Sequence, residues 1–277
     1  MKKIVLTGAA GNLGKILRAP LAAMCDQLLS TDIAESIGDL ASNETFAQAD
    51  LAKMDDIRPL LEGADMVVHF GALVDEVPFE EIWGPNFVGS YNIWQSAKEH
   101  GVRRVVYASS IHAMGMYPKT VSITPDMPHR PDTYYGLAKC FTEDLGRMFW
   151  EKEGLESVHI RILSATSRPG NARALGSWLS ADDLVQVVTR AIDTPVVGFT
   201  VIYGVSNNDR SPVDNAQASH LGYRPKDNGE DYAAEVLAKT PPADLNDLGL
   251  TCHGGPFASA TLGVSPMALM GIPEDDE

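Results

Sequence analysis

The seven-residue segment from Gly8 to Gly14, with the sequence GAAGNLG, constrains the fold more than any other feature. It follows a short apolar run, Lys3 to Leu6, and it opens a helical pattern, Asn12 to Met24. Between a strand and a helix, Gly8 permits a tight turn, Gly11 lets the backbone approach a pyrophosphate, and Gly14 allows close helix packing. The N–H groups at the start of the helix then face the phosphates. The pattern predicts a dinucleotide-binding βαβ unit.

Asp32 indicates which dinucleotide is bound. It ends the second predicted strand, Leu28 to Thr31, about 20 residues after the glycines, where an acidic side chain accepts hydrogen bonds from the ribose of NAD. A carboxylate at this point repels the 2′-phosphate of NADP, and no Arg or Lys between Thr31 and Ser36 offsets it. The pair Asp50-Leu51 lies after the next short segment and either flanks the adenine or, through Asp50, caps a helix. The sequence therefore predicts NAD as the cofactor.

Strand and helix patterns alternate through the first two thirds of the chain. Such alternation predicts an α/β fold with a Rossmann-type doubly wound parallel sheet. Residues 1–277 are expected to form a single NAD-binding domain, with a small C-terminal substrate-binding portion whose elements lie mainly in residues 164–277. The other strands are predicted at Met66 to Phe70, Val102 to Ala108, His159 to Leu163 and Phe199 to Tyr203, and the other helices at Ile82 to His100, Asp132 to Glu153 and Ala181 to Ile192.

Tyr135 and Lys139 form the predicted catalytic pair. They are four residues apart in a predicted helix, so their side chains emerge on one face. Of the eight tyrosines, only Tyr135 has a lysine at this spacing. A tyrosine with a pKa of about 10 is a poor base at neutral pH, but a nearby ammonium and a cationic nicotinamide both favour the phenolate. Ser110 stands at the exit of a predicted strand, where open α/β sheets bind ligands, and it can orient the reacting oxygen.

Together these motifs resemble those of the extended short-chain dehydrogenases/reductases over nearly the whole chain, and within that superfamily those of the uronate dehydrogenase family. The superfamily pattern comprises the glycine segment, Asn86 to Gly89, Ser109-Ser110 and Tyr135 to Lys139. The narrower resemblance lies in Ala108 to Ser110 with His112, Tyr117-Pro118, Arg130 to Asp132, Tyr135 to Phe141, Arg161-Ile162, Trp178 to Asp183, Gly222 to Asn228 and Gly254 to Phe257.

This resemblance implies a reaction and a set of site residues. A hexuronic acid, glucuronate or galacturonate, is oxidised at C1 to an aldarate lactone, with the hydride passing to NAD and Tyr135 taking the hydroxyl proton. The cofactor-binding residues that it implies are Gly8, Gly11, Asn12, Leu13, Gly14, Asp32, Ile33, Asp50, Leu51, Gly71, Ala72, Asn86, Ala108, Tyr135, Lys139 and Ile162. The substrate-binding residues that it implies are Val74, Ser110, Ile111, His112, Tyr135, Ser164 and Arg173, with Arg173 gripping the carboxylate.

Two substrate positions depart from the family pattern. Val74 stands where the family has Ser, and Ile111 stands where it has Asn directly after the catalytic serine. Both changes replace hydrogen-bonding groups by apolar ones, and each such bond contributes about 1 kcal/mol. We therefore expect either a hexuronate or a less hydroxylated or otherwise altered sugar or hydroxy acid as the substrate.

Two other classes of protein share much of this pattern. A sugar epimerase or dehydratase uses the same Ser, Tyr and Lys with retained NAD, but a dehydratase has an acidic pair where Ile111-His112 follow Ser110, and an epimerase has a larger C-terminal domain. A module that only binds the dinucleotide is expected to lack Tyr135 or Lys139. The seven histidines show no paired spacing typical of metal ligands, so no metal is predicted.

The net charge and the cysteines limit the partners and the compartment. A net charge of -15 opposes a nucleic-acid partner, and no apolar run reaches the length of a membrane span. The first apolar run is too short for a secretory signal, and three widely spaced cysteines suit the cytoplasm. The superfamily resemblance implies that Ile82 to His100 and Asp132 to Glu153 pair between subunits in a homodimer or a higher homo-oligomer.

Overall fold

A parallel sheet lies at the centre of the computed structural model, which describes residues 1–240 and 246–266. The described residues form the strands β1 (Lys3–Thr7), β2 (Gln27–Asp32), β3 (Glu44–Gln48), β4 (Met66–His69), β5 (Arg104–Ser110), β6 (Glu156–Ile162), β7 (Ser164–Ala165), β8 (Trp178–Leu179) and β9 (Phe199–Gly204). Seven of them form one sheet in the order β3-β2-β1-β4-β5-β6-β9, with every neighbouring pair parallel. Its inner strands are almost completely buried because both faces are covered.

Helices cover both faces of this sheet. They are α1 (Asn12–Ala22), α2 (Met54–Ile57), α3 (Phe79–Ile82), α4 (Gly89–Glu99), α5 (Tyr134–Glu153), α6 (Ala174–Ser177), α7 (Ala181–Asp193), α8 (Ala233–Ala238), α9 (Leu248–Thr251) and α10 (Pro256–Ser259). One core contains Ile4 and Leu6 of β1 with α1 and α7, and the other contains Val5 with α2, α4 and α5. The predicted doubly wound parallel sheet is confirmed. Within the described residues, no helix is both long and apolar enough to cross a membrane.

The strand order reverses between β1 and β4. From β1 the sheet extends through β2 to β3 on one side, and from β4 it extends through β5 and β6 to β9 on the other. In open α/β sheets, ligands bind in the crevice at the carboxyl ends of such strands. The fold therefore brings the residues that directly follow β1, β4, β5 and β6 to one common edge.

The segment from Ile82 to His100, predicted as one helix, is divided. α3 ends at Ile82, a π-helical turn spans Trp83–Val88, and α4 begins at Gly89. Pro85 lacks an N–H group and its ring excludes a regular helical hydrogen bond, so the backbone widens at this turn.

Other details also differ from the sequence prediction, among them the starts of two elements and one additional strand. The strand predicted from His159 begins earlier, at Glu156, and the helix predicted from Asp132 begins later, at Tyr134. Thr133 caps that helix, because its Oγ1 accepts a hydrogen bond from the Gly136 N–H at 3.0 Å. β3 has no counterpart in the prediction, since this edge strand is largely half-buried or exposed and its apolar pattern is weak.

The chain after β6 builds over the carboxyl edge of the sheet. β7 and β8 form a separate two-stranded parallel sheet, and α6 leads into β8. Residues after α9 return to the loop that follows β5, where the N–H groups of His253 and Gly254 donate to the carbonyls of Tyr117 and Gly115, both at 2.9 Å. Short helices joined by irregular backbone form the described residues after β9.

Candidate active site

The glycine segment forms the turn between β1 and α1. Gly8 has a φ of 74°, and a Cβ there would lie 2.6 Å from the Gly71 backbone nitrogen. A Cβ on Gly14 would lie 2.0 Å from the Gly8 carbonyl oxygen and would push α1 away from the turn. α1 begins behind Gly11, which has no side chain to occupy the first N–H groups of the helix. The turn therefore offers bare backbone at a helix N-terminus, an arrangement that binds phosphate.

Asp32 ends β2 beside this turn. Its Oδ2 accepts from the Ala10 N–H at 2.9 Å and its Oδ1 accepts from the Ala34 N–H at 3.1 Å. The carboxylate is held at the glycine segment yet stays partly exposed, and the neighbouring Ile33 is largely exposed. Its negative charge suits ribose hydroxyls as donors and disfavours a phosphate. These residues fit NAD better than NADP.

Asp50 and Leu51 lie between β3 and α2. The Asp50 Oδ1 accepts from the Ala52 N–H at 2.9 Å and closes a turn. Asp50 does not cap α2, because the N-cap residue of that helix is Lys53. Leu51 packs so closely on Gly71 that a Cβ there would lie 3.0 Å from the Leu51 Cδ1. Leu51 therefore joins the segment after β3 to the loop after β4.

Asn86 fixes the loop that follows β4. Its Nδ2 donates to the Leu73 carbonyl and its Oδ1 accepts from the Leu73 N–H, both at 2.8 Å. The Gly71 N–H donates to the Thr7 Oγ1 at 3.0 Å and anchors the same loop on β1. Both ends of the Asn86 amide are thus engaged by the Leu73 backbone, so Asn86 holds this loop in place.

Tyr135 and Lys139 come together at the start of α5. The Lys139 Nζ lies 5.1 Å from the centre of the Tyr135 ring and donates to the Ala108 carbonyl at 2.7 Å. Lys139 is 3% exposed, and this burial lowers the pKa of its ammonium to about 7, although the Glu143 carboxylate opposes the shift. The ammonium can therefore lose its proton near neutral pH.

Ser110 and His112 follow β5 and lie close to Tyr135. The Ser110 Oγ accepts from the His112 N–H at 3.2 Å. The His112 Nδ1 lies 2.9 Å from the Asp132 Oδ2, and the ring centres of His112 and Tyr135 are 5.7 Å apart. Phe257 packs on the same imidazole, with ring centres 4.2 Å apart. The sequence analysis assigned no site role to Asp132 or Phe257, although both lie in segments that carry the family resemblance.

Glu143 gathers a buried cluster of polar groups one turn beyond Lys139. Its Oε1 accepts from the Ser109 Oγ at 2.5 Å and from the Arg161 Nε at 2.9 Å. Its Oε2 accepts from the Arg161 Nη2 at 2.7 Å and pairs with the His129 Nε2 at 2.8 Å. Burial would raise the pKa of Glu143, but the charge of Arg161 and these hydrogen bonds outweigh it and lower the pKa. The sequence signal for this cluster is the helical spacing between Lys139 and Glu143.

Ser164 and Arg173 lie together after β6. The Arg173 Nη1 donates to the Ser164 Oγ at 3.0 Å, and the Ser177 Oγ lies 2.9 Å from that same oxygen. The Arg173 Nε and Nη2 donate to the His253 carbonyl at 3.2 Å and 2.8 Å. Burial lowers the pKa of the Arg173 guanidinium, and the Asp132 carboxylate opposes this effect. The C-terminal segment therefore fixes the direction of this arginine.

The two positions that depart from the family pattern differ in their surroundings. Val74 is 44% exposed in the loop after β4. Ile111 is fully buried in an apolar cluster with Met114, and it also lines a cavity beside Arg173. Of the predicted cofactor residues, Leu13 and Ile162 pack in the core that α1 and α7 share. Across the described part of the chain, no group of three His, Cys, Asp or Glu side chains is placed to hold a metal ion.

Comparisons with known proteins agree with this geometry. A model of the NAD dependent epimerase/dehydratase family matches residues 4–173. A uronate dehydrogenase from Pseudomonas putida is 43% identical over 258 residues, covering 93% of this chain and 96% of that protein. Both of these matches rest on the amino-acid sequence alone.

Solved structures extend the similarity to the fold. A variant of uronate dehydrogenase from Agrobacterium tumefaciens, complexed with NAD, is 40% identical with a TM-score of 0.90 over 95% of this chain and 98% of that chain. Glucuronic acid dehydrogenase from Chromohalobacter salexigens is 35% identical with a TM-score of 0.92, again over 95% of this chain and 98% of that chain. The chain belongs to the NAD dependent epimerase/dehydratase family and, within it, to the uronate dehydrogenases.

Proposed function

We propose that this protein oxidises a hexuronic acid, glucuronate or galacturonate, at C1 to an aldarate lactone, with NAD as the hydride acceptor. The observation that carries the proposal is the hydrogen-bonded pair of Arg173 and Ser164, which follows β6 at the sheet edge that also bears Ser110 and Tyr135. A carboxylate site and an acid/base site at one edge suit a substrate with an acid group at one end and a reactive hydroxyl at the other. The uronate dehydrogenase relatives support the same reaction.

Tyr135 is the base in this proposal. The Lys139 ammonium beside its ring stabilises the phenolate, so the phenolate oxygen can take the C1 hydroxyl proton at neutral pH. The Ser110 Oγ already accepts from a backbone N–H, and its own hydrogen can be donated to the reacting oxygen. NAD, when bound, supplies the acceptor for the hydride that leaves C1. Gly8, Gly14 and Asp32 would hold its phosphates and ribose.

Arg173 is the proposed carboxylate ligand. A guanidinium has five N–H groups in a fixed fork, and the described contacts to His253 and Ser164 use three of them. Those contacts restrain the fork without neutralising its charge, because a carbonyl and a hydroxyl are both uncharged. The remaining donors suit a planar carboxylate, which arginine binds in two places.

One alternative is favoured by a specific observation. Val74 and Ile111 occupy the positions where the family has Ser and Asn, and the Ile111 side chain is apolar and fully buried. An NAD-dependent dehydrogenase of a different sugar or hydroxy acid would suit these positions better than one for a fully hydroxylated hexuronate.

A sugar epimerase or dehydratase with retained NAD is the remaining alternative, and it would form no net NADH. A panel of uronic acids, aldoses and hydroxy acids, followed by NADH absorbance, separates these reactions.

The proposed protein is a single NAD-binding domain, with substrate-binding elements mainly in residues 164–277, that works as a cytoplasmic homodimer or higher homo-oligomer. The cytoplasm is supported by Cys25, Cys140 and Cys252, which are free thiols. Assembly is supported by apolar side chains that stay exposed on the outer faces of α4 and α5, among them Tyr91, Leu137 and Met148.

Tyr135→Phe tests the proposed reaction. The variant keeps the ring but lacks the phenolic oxygen that takes the proton, so we expect uronate-dependent NADH formation to fall by at least about 1,000-fold. The dissociation constant of NAD, measured by fluorescence titration, should change by less than about threefold.

Tyr134→Phe is the matched control. Tyr134 is the preceding residue of α5, and its ring packs on Phe79 instead of facing Lys139. We expect it to keep near wild-type turnover. A Tyr135→Phe variant that oxidises uronate at the wild-type rate would refute the proposed role of the hydroxyl.

A further inference from the structure

A cavity of about 410 Å³ lies beside Arg173, between the loop after β5 and the segment after β9. Small-molecule sites in proteins generally have roughly 300–1,000 Å³, so this space is large enough for a ligand group well beyond a single carboxylate. Lys119, Ser122 and Ser177 are among the side chains that line it. The reaction proposed above uses only the Arg173 wall of this space.

The cavity continues from the distal end of the proposed substrate site. Arg173 and Ser177, both in its wall, are each hydrogen-bonded to the Ser164 Oγ. Ile111 forms another part of the wall and directly follows Ser110 in the chain. A group that extends past Arg173, away from the reacting C1, would therefore enter this space.

The cavity is cationic in a strongly acidic protein. The chain has a net charge of -15, yet none of the described residues that line the cavity is Asp or Glu. The Lys119 Nζ donates to the Leu250 carbonyl at 2.8 Å, which is an uncharged acceptor. Arg210 also lines the cavity, but its charge is offset by the Glu230 carboxylate through bonds of 2.5 Å and 2.8 Å. Lys119 and Arg173, by contrast, donate only to uncharged acceptors, and the Asp247 and Asp132 carboxylates act on them without a described hydrogen bond.

The two cations also oppose each other. Burial, and next the charge of Arg173, lower the pKa of the Lys119 ammonium, although Cys252 and Asp247 act in the opposite direction. Two like charges that have no hydrogen-bonded carboxylate between them favour the binding of an anion there. Thr120 and Ser122 add hydroxyl groups to the same wall.

We propose that this cavity binds a second acid group of the substrate, with Lys119 as its partner while Arg173 holds the first carboxylate. The substrate class would be uronic acids extended at the end distant from C1 by a further carboxylate-bearing unit, as in digalacturonate, whose reducing ring keeps a free C1. This inference rests on the proposed function, because it extends the same site. The apolar Ile111 then forms the wall along which the extension passes.

Charge changes in the cavity wall test this proposal. We expect Lys119→Gln to lower kcat/KM for digalacturonate by about tenfold or more, because a charge-assisted contact to the second carboxylate is lost. Turnover of galacturonate, which has no second acid group, should stay within about twofold. Ser122→Glu should have the same selective effect through repulsion, since Ser122 is exposed in the cavity wall and tolerates a longer side chain.

Ser122→Gln is the matched control, because Gln has nearly the size of Glu and no charge. It should leave kcat/KM for both substrates unaffected. Equal losses for galacturonate and digalacturonate in Lys119→Gln and Ser122→Glu would overturn the proposal, as would a wild-type protein that oxidises galacturonate and does not act on digalacturonate.

Failure of the proposed function would be recognised separately. In that case the folded wild-type protein with NAD would oxidise neither acid. Calorimetric titration of digalacturonate into the NADH-bound protein would still test the cavity, because Lys119→Gln should weaken this binding by about tenfold or more while Ser122→Gln should not. Equal affinity in all three proteins would refute the second acid site.

Discussion

At the scale of single residues, the burial of Lys139 governs the chemistry of Tyr135. The ammonium lies 5.1 Å from the centre of the tyrosine ring, close enough for its charge to favour a phenolate there. Burial lowers the pKa of Lys139 to about 7, so this pair of side chains loses a proton near neutral pH. The singly deprotonated pair includes the form with a phenolate beside an ammonium, and that form can accept the substrate proton.

We therefore expect kcat/KM for uronate oxidation to rise with pH through about 7. Below this pH both groups hold their protons, and above it one proton has left the pair. Lys139→Met removes the ammonium, so the midpoint should move up toward the ordinary tyrosine pKa of about 10, and kcat/KM at pH 7 should fall by about 100-fold. Initial rates measured at a series of pH values check both effects.

Lys152→Met provides the control for this measurement, because Lys152 is exposed near the carboxyl end of the same helix. Its pH profile should match that of the wild type. A Lys139→Met profile that still turns near pH 7 would assign the titration to a different group.

At the scale of elements, local motifs could be predicted and distant contacts could not. The turn at Gly8 and the α5 pair could be read from the sequence because glycine geometry and helical spacing act within a few residues. The anchoring of Arg173 could not, since its acceptor, the His253 carbonyl, lies 80 residues further along the chain. The same holds for the cluster around Glu143, to which strand β6 contributes Arg161.

Gly14→Ala tests the close approach of α1 to the glycine turn. The added Cβ would meet the Gly8 carbonyl oxygen at 2.0 Å, so α1 must move and its first N–H groups must leave their phosphate-binding positions. We expect the dissociation constant of NAD to rise by at least about tenfold, as measured by fluorescence titration, and the melting temperature to fall.

Gly170→Ala is the matched control for this substitution. A Cβ on Gly170 meets nothing within 4 Å, so the same chemical change should leave NAD affinity and melting temperature nearly unaltered. If Gly14→Ala bound NAD as tightly as Gly170→Ala, the close packing of α1 would not be what positions the dinucleotide.

At the scale of the whole molecule, α4 and α5 carry exposed apolar side chains on their outer faces. Tyr91 on α4 and Leu137, Phe141 and Met148 on α5 are each at least 38% exposed, although both helices bury their inner faces in the second core. Leu137 and Phe141 are one helical turn apart, so they form a continuous patch. An apolar patch on two neighbouring helices of an acidic protein fits a second copy of the same chain, because self-association there buries apolar area without bringing the acidic surfaces into contact.

The double variant Tyr91→Glu/Met148→Glu should therefore separate the subunits. In a two-fold symmetric dimer each substitution occurs twice, so four carboxylates would enter one apolar contact and lose their hydration. We expect light scattering after gel filtration to give at least twice the mass of one chain for the wild type and the mass of one chain for the variant. Val196→Glu is the control, since Val196 is 72% exposed in the loop between α7 and β9, on neither α4 nor α5, and should keep the wild-type mass. A wild-type protein that is monomeric at micromolar concentration, or a double variant that keeps its mass, would show that this patch does not form the subunit contact.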